Sequence, residues 1–120
     1  MFVAVVGSRN IFPSDNNIFW SLPDETSGIV SGGAIGVDSC AARFAKNFGF
    51  PLKVFKPDYK KFGRKAPLMR NKIIVKTARF VVAFWDGKSS GTGHTIYLAK
   101  KAGLSVRVIR LSKSNQLSLL

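Results

Sequence analysis

Residues 29–38 read Ile29-Val30-Ser31-Gly32-Gly33-Ala34-Ile35-Gly36-Val37-Asp38, an apolar strand that runs into three glycines and then into a helical pattern. Glycine allows positive φ and lets a ligand approach the backbone amides, while the following helix offers unpaired N–H groups. We therefore predict an anion-binding turn suited to a phosphate; the alternative is a tight strand-to-helix connection without a ligand. The GGxxG spacing is neither a dinucleotide fingerprint nor a Walker A motif, so no cofactor is assigned.

Length, charge and cysteine content restrict the class of protein. The 120 residues, 46% of them hydrophobic, suit one domain with its own core. The net charge of +13 favours polyanionic or phosphorylated partners. Cys40 is the only cysteine, so an internal disulfide is excluded and a reducing, cytoplasmic location is expected. The apolar start at Met1 is too short for a membrane span, so no membrane association is expected.

The apolar pattern predicts alternating strands and helices. Helices are expected over Pro13–Leu22 with Phe19 inward, from Val37 to Phe48 with Phe48 inward, over Pro67–Thr77, and after the Asp86–Gly93 loop with Ala102 inward. Strands are expected at five places: Phe2–Val6, Gly28–Ser31, Leu52–Phe55, Arg79–Trp85 and Ser105–Leu111. This alternation predicts a single doubly wound Rossmann-like α/β domain over residues 1–111, with a five-stranded, mainly parallel sheet, followed by a tail at 112–120.

Three turns follow different strands, and in a doubly wound sheet such turns converge on one crevice at the switch point. The turns are Gly7-Ser8-Arg9, the glycine turn at 32–36 and the Gly/Ser loop Asp86–Gly93. Arg70 lies early in a predicted helix, where the dipole does not favour a cation, so a negative ligand explains it better than helix stability does. Two roles are open for Asp38. It either caps the helix, or it forms a hydrogen bond with a ligand hydroxyl or a neighbouring backbone amide. The predicted ligand-binding residues are Gly7, Ser8, Arg9, Ser31, Gly32, Gly33, Gly36, Asp38, Arg70, Asn71, Ser90, Gly91 and Thr92.

Ten of the 19 basic residues lie between Lys53 and Arg79, where Asp58 is the only acid. The segment 57–65 is predicted to be an irregular loop, and Tyr59 and Phe62 interleave with its cations, as in surfaces that stack nucleic-acid bases. A solvated basic face is the alternative. The sequence has no metal-ligand cluster, and no metal is predicted.

Four segments together resemble the SLOG superfamily, the Rossmann-like domains related to DprA (Smf) and to the lonely-guy enzymes, and within it the small YpsA-related branch. The segments are Gly7-Ser8-Arg9, Ser31–Asp38, Ala66–Asn71 and Asp86–Thr92, and the resemblance extends from Phe2 to about Ile109. It implies a nucleotide or nucleotide-derived ligand held by the glycine turns, and the lonely-guy resemblance also implies a homodimer.

The resemblance leaves the activity open. Lonely-guy enzymes hydrolyse the N-glycosidic bond of a nucleoside monophosphate with an arginine, to which Arg70 corresponds, and a glutamate, where this chain has Thr95. Asp38 or Asp86 would then have to act as acid or base, so Arg70 and Asp38 are the candidate catalytic residues. The first hypothesis is therefore a binding module for a phosphorylated nucleotide or nucleotide-derived ligand. The alternatives are a nucleoside-monophosphate N-glycosidic hydrolase and single-stranded nucleic-acid binding, as the DprA resemblance implies.

Overall fold

The structure, a computed structural model, describes residues 1–111 and contains one five-stranded parallel sheet. The strands are β1 Phe2–Gly7, β2 Gly28–Ser31, β3 Leu52–Val54, β4 Phe80–Trp85 and β5 Ser105–Arg110. Their order across the sheet is β3-β2-β1-β4-β5, and every neighbouring pair is parallel. The predicted α/β, doubly wound, parallel architecture is confirmed. The strand order reverses between β1 and β4, which are therefore the two strands of the switch point.

Helices cover both faces of this sheet. They are α1 Asp15–Ser21, α2 Val37–Phe48, α3 Tyr59–Phe62, α4 Ala66–Thr77 and α5 Ser90–Lys101. The apolar side of α2, with Val37 and Phe44 fully buried, packs with α1 against one face of the sheet. Ile74 of α4 and Ile96 of α5 pack against the other face. The four inner residues of β1 and of β4 are buried because both faces of these strands are covered.

Three side chains predicted to point inward are instead exposed. Helix α1 is only seven residues long and buries Ile18 and Ser21, which leaves Phe19 45% exposed. Phe48, at the last position of α2, is 47% exposed and lies 6.1 Å from the ring of Phe19. Ala102 lies just after the last residue of α5 and is exposed. Phe19 lies on the outer face of α1, opposite the side that Ile18 and Ser21 bury. Phe48 and Ala102 lie at helix ends, where the side chain leaves the core.

Two segments predicted as loops are partly helical. The segment 57–65 contains α3, which begins where the side chain of Asp58 accepts a hydrogen bond from the backbone N–H of Lys61, and a 3-10 turn over Gly63–Lys65. Helix α5 begins at Ser90, so Ser90, Gly91 and Thr92 form its first turn and are not part of a loop. Local capping by Asp58 and packing of α5 on the sheet outweigh the low helix propensity of these segments.

Helix α1 begins two residues after the predicted Pro13, and the strand boundaries that differ from the predictions do so by one residue. Strand β1 ends at Gly7, β3 ends at Val54, β4 begins at Phe80 and β5 ends at Arg110. The predicted tail at 112–120 lies outside the described residues. No helix within residues 1–111 has the length and apolar character needed to cross a membrane.

Candidate functional site

A cleft of about 800 Å³ opens at the carboxyl ends of β1 and β4, where the strand order reverses. Open α/β sheets bind their ligands at such a position because the turns after the two strands diverge to opposite faces. The predicted meeting of three turns is seen here, since residues of all three line the cleft. The lining residues are Val6, Gly7, Ser8, Arg9, Asn10, Gly33, Ala34, Asp38, Lys56, Pro57, Tyr59, Pro67, Arg70, Asp86, Ser89, Ser90, Gly91, Thr92 and Thr95.

The first wall is the end of β1. A Cβ at Gly7 would lie 2.2 Å from the carbonyl oxygen of Phe84, so only glycine allows β1 and β4 to approach this closely. Ser8 is buried, and its backbone N–H donates to the same Phe84 carbonyl at 3.2 Å. Its Oγ accepts hydrogen bonds from the hydroxyl of Ser89 at 2.9 Å and the backbone N–H of Asp86 at 3.4 Å. Ser8 therefore ties together the turns that follow the two central strands.

The second wall is the glycine turn between β2 and α2. Gly33 and Gly36 have φ of 75° and 81°, the left-handed region that disfavours other residues. A Cβ at Gly36 would also lie 2.4 Å from the carbonyl oxygen of Arg9. Ser31 is fully buried, and its Oγ donates to the Asp38 carbonyl oxygen at 2.9 Å. These contacts bend the chain so that the first turn of α2 reaches the cleft.

Asp38 lies within that first turn, lines the cleft and is only 6% exposed. Its Oδ2 accepts a hydrogen bond from the backbone N–H of Ala34 at 3.2 Å. Burial raises the pKa of Asp38 from 3.8 to about 6, against the opposing effects of the Ala34 hydrogen bond and the nearby charges of Arg70 and Arg9. The carboxylate is therefore ionised at neutral pH but poorly solvated.

Arg70 projects into the cleft from the second turn of α4. Its Nη1 donates to the carbonyl oxygens of Gly32 and, at 3.4 Å, Phe55, and its Nε donates to Asn71 Oδ1 at 3.1 Å. Burial lowers the pKa of Arg70, and the negative charge of Asp38 partly offsets that effect. The guanidinium is therefore held in one orientation by the turn that it faces.

The third wall is the first turn of α5. Asp86 Oδ1 accepts hydrogen bonds from the backbone N–H groups of Lys88 and Ser89, each at 2.8 Å, and these bonds lower the pKa of Asp86. Ser90, Gly91 and Thr92 follow and line the cleft. The first N–H groups of a helix have no partner within the helix, and this turn contains no acidic side chain. The positive end of α5 thus faces the cleft.

Exposed side chains form the rim. Arg9 lies on one side, while Lys56 and Tyr59 lie on the other, and the Lys56 stem packs against the turn at Gly33. Tyr59 is 61% exposed at the start of α3. Three cations, those of Arg9, Lys56 and Arg70, therefore surround a cleft that also contains the carboxylates of Asp38 and Asp86.

Nine of the thirteen residues predicted to bind a ligand line the cleft and four lie behind it. The four are Ser31, Gly32, Gly36 and Asn71. Ser31 and Gly36 shape the turn, while Gly32 and Asn71 accept hydrogen bonds from Arg70. The Ser31 hydroxyl, the Gly32 carbonyl and the Asn71 side chain are used in hydrogen bonds inside the protein, and direct ligand contact by these four residues stays a prediction.

The structure adds cleft residues that sequence reasoning missed or did not place in the site. Lys56 and Tyr59 lie just beyond the carboxyl end of β3, and Ser89 precedes α5. Lys56 follows the carboxyl end of β3 as Arg9 follows that of β1, so its position after a strand is a signal in the sequence that predicts it. Thr95, which stands where the lonely-guy pattern has glutamate, is buried in the cleft wall and donates to the Gly91 carbonyl at 3.2 Å. No group of three His, Cys, Asp or Glu residues that could hold a metal occurs within residues 1–111.

Comparison with known proteins finds a relative of the chain in a phage. No protein family profile matches the chain, and no solved structure matches it. Gene 61 protein of Mycobacterium phage D29 is 32% identical over 116 residues, which cover 87% of this chain and 92% of that protein. Identity at this level over nearly the full length of both chains shows common descent. The chain therefore belongs to the family of the Gene 61 protein of Mycobacterium phage D29.

Proposed function

We propose that the protein binds a phosphorylated nucleotide, or a nucleotide-derived ligand, in the cleft between β1 and β4. The observation that carries this proposal is the meeting of the glycine turn, the first turn of α5 and three cationic side chains around one cleft at the switch point. Each feature separately has a structural explanation. Their convergence on one cavity favours an anionic ligand.

The charges support a phosphate as the anionic group. Arg9 and Lys56 have long, exposed side chains at the rim, and the N–H groups in the first turn of α5 face the same space. Tyr59 offers an aromatic ring at the mouth, where a planar base could stack. The order of these motifs also supports our proposal that the chain is a SLOG-type domain of the YpsA-related branch.

The proposal is tested by measuring thermal stabilisation by AMP, GMP, ADP-ribose and NAD, with Arg70→Ala as the variant. Stabilisation by a mononucleotide that disappears in Arg70→Ala supports the proposal, because a ligand that binds only the folded state raises Tm. Absence of binding to every compound by the wild-type protein would refute it.

The environment of Asp38 favours a second candidate, hydrolysis of an N-glycosidic bond. A buried carboxyl with a pKa of about 6, lining the cleft near Arg70, has the properties of a general acid or base. Arg70 would position the phosphate and Asp38 would transfer the proton. Release of free base and ribose 5-phosphate from nucleoside monophosphates, abolished by Asp38→Asn, would establish this activity.

Exposed cations beyond the rim favour a third candidate, binding of single-stranded nucleic acid. The segment after Tyr59 continues the positive charge of the cleft along α3 and the 3-10 turn through four exposed side chains: Lys60, Lys61, Arg64 and Lys65. Such a track could follow a phosphate backbone, with Tyr59 stacking a base.

The assembly and location form part of the same proposal. Phe19, Trp20 and Phe48 form an exposed aromatic patch on α1 and α2, with Trp20 78% exposed, which supports a homodimer. Sedimentation of wild type and Trp20→Ser tests it, since a dimer through this patch should dissociate in the variant. A cytoplasmic location agrees with the buried thiol of Cys40, which is not part of a disulfide.

A further inference from the structure

The two carboxylate oxygens of Asp38 have different surroundings. Oδ2 accepts from the Ala34 N–H. Within residues 1–111, no donor forms a hydrogen bond to Oδ1. Asp38 also forms no ion pair there, since the ion pair in these residues joins Arg43 to Asp15. Every fully buried side-chain oxygen in the described residues has a hydrogen-bond partner. Because Oδ1 has none, it is not fully buried, and it is reached from the cleft that Asp38 lines. A residue that is more than nine-tenths buried therefore presents one unpartnered acceptor to the space where a ligand would lie.

The charges around this oxygen define what could satisfy it. Arg70 on α4 and Arg9 after β1 act on Asp38 through space, Lys56 lies beyond the glycine turn, and Asp86 lies on the far wall. A phosphate placed against Oδ1 would meet a like charge. A hydroxyl group would donate to it and recover part of the hydration lost on burial.

We propose that Asp38 is a specificity-determining residue whose Oδ1 accepts a hydrogen bond from a sugar hydroxyl, so that the cleft selects ribonucleotides over nucleotides that lack sugar hydroxyls. This inference rests on the proposed function and deepens it. The phosphate then lies away from Asp38, at the rim cations Arg9 and Lys56 and the first turn of α5. The nucleotide spans the cleft between these two regions.

The experiment measures, by calorimetry, the affinity of the wild-type protein for AMP, GMP, CMP and UMP and for the 2′-deoxy and 2′,3′-dideoxy counterpart of each. The best-bound ribonucleotide should bind at least about tenfold more tightly than its dideoxy counterpart, as expected for a hydrogen bond to a charged acceptor. This comparison needs no variant, so it does not depend on the folding of one.

Asp38→Asn provides the second arm. Its amide oxygen can retain the hydrogen bond from Ala34, which turns an amide N–H₂ donor toward the cleft in place of the acceptor. The ribonucleotide should lose about tenfold in affinity, while the dideoxy compound should change by less than about threefold. Asp24→Asn, an equal change of charge at an exposed residue away from the cleft, should retain the wild-type ratio.

The outcomes separate this inference from the function on which it rests. Binding of ribo- and dideoxynucleotides with equal affinity, or an unchanged ratio in Asp38→Asn, would overturn the role of Asp38 and leave nucleotide binding intact. Failure of all twelve compounds to bind the wild-type protein would overturn both.

Discussion

The Asp38 carboxylate and the Arg70 guanidinium both lie beside the position that a side chain of residue 32 would occupy. A Cβ at Gly32 would lie 2.7 Å from Asp38 Oδ2 and 2.6 Å from Arg70 Nη1. The two side chains come from α2 and α4, helices on opposite faces of the sheet, and both can approach this position because glycine has no side chain there. This relationship brings the buried carboxylate of Asp38 and the partly buried cation of Arg70 to one wall of the cleft.

Asp38→Asn should stabilise the protein at neutral pH. Because the folded-state pKa of Asp38 is raised to about 6, ionisation of Asp38 opposes folding. This cost is absent well below pH 3.8, develops between pH 3.8 and 6, and is complete above pH 6. The shift corresponds to about 3 kcal/mol in the free energy of unfolding. Urea denaturation should give the variant an advantage of about this size at pH 7.5 and less than about 1 kcal/mol at pH 4. An advantage that does not vary with pH would contradict the explanation.

Arg9→Ala should weaken nucleotide binding without weakening the fold. Arg9 is exposed at the rim, and no side-chain hydrogen bond or ion pair of Arg9 occurs within the described part of the chain. Loss of one charged contact to phosphate should reduce affinity about tenfold, with little change in Tm. Arg79→Ala is the matched control, because Arg79 is an exposed arginine beside the amino end of β4, opposite the cleft. Equal losses in both variants would indicate an effect of net charge alone.

Gly7→Ala should destabilise the protein severely, whereas Gly91→Ala should not. The added methyl group at Gly7 would collide with the backbone of β4, and separating two central strands should cost about 3 kcal/mol. A Cβ at Gly91 would have no neighbour within 4 Å, and alanine is the better helix former in the first turn of α5. Thermal unfolding of the two variants measures the difference. A normal Tm for Gly7→Ala would show that β1 and β4 can separate at their carboxyl ends without loss of stability.

The salt dependence of binding should distinguish a mononucleotide cleft from a nucleic-acid track. For each phosphate contacted on a single strand, the logarithm of the affinity falls by about 0.7 per unit increase in the logarithm of the salt concentration. An oligonucleotide that lies along Lys60, Lys61, Arg64 and Lys65 should therefore show a slope near 3, and substitution of these four residues should flatten it. Filter binding from 50 to 300 mM salt measures this slope. Tight binding of an oligonucleotide that is insensitive to salt would exclude the track.

Much of the architecture could be read from the chain because it depends on local patterns. The continuous apolar runs of β1 and β4 predict strands buried on both faces, and the spacing of Val37, Cys40, Ala41 and Phe44 predicts the buried side of α2. Phe48 and Ala102 are errors at helix ends, because periodicity does not show where a helix leaves the core. Phe19 is an error of face, because α1 buries Ile18 and Ser21 instead. Further errors fall in α3 and the start of α5, where a cap and sheet packing stabilise segments of low helix propensity.

For the candidate site, too, one part could be predicted from the sequence and another could not. Its location could be predicted, since chain order and parallel pairing place the turns after β1, β2 and β4 at one end of the sheet. The contacts of individual side chains could not. Ser31 and Asn71 have hydrogen-bonding groups that suit a ligand, yet they hold Asp38 and Arg70 in place.

By itself the sequence determined a parallel α/β domain with glycine turns and an excess of positive charge, because strand burial, helix periodicity and turn geometry are set by neighbouring residues. Only the tertiary structure decided that Lys56 and Tyr59 border the cleft, that Arg70 faces Gly32, and that Asp38 is buried with one oxygen open to a ligand. Burial, and with it the raised pKa of Asp38, depends on segments far apart in the chain that the fold brings together.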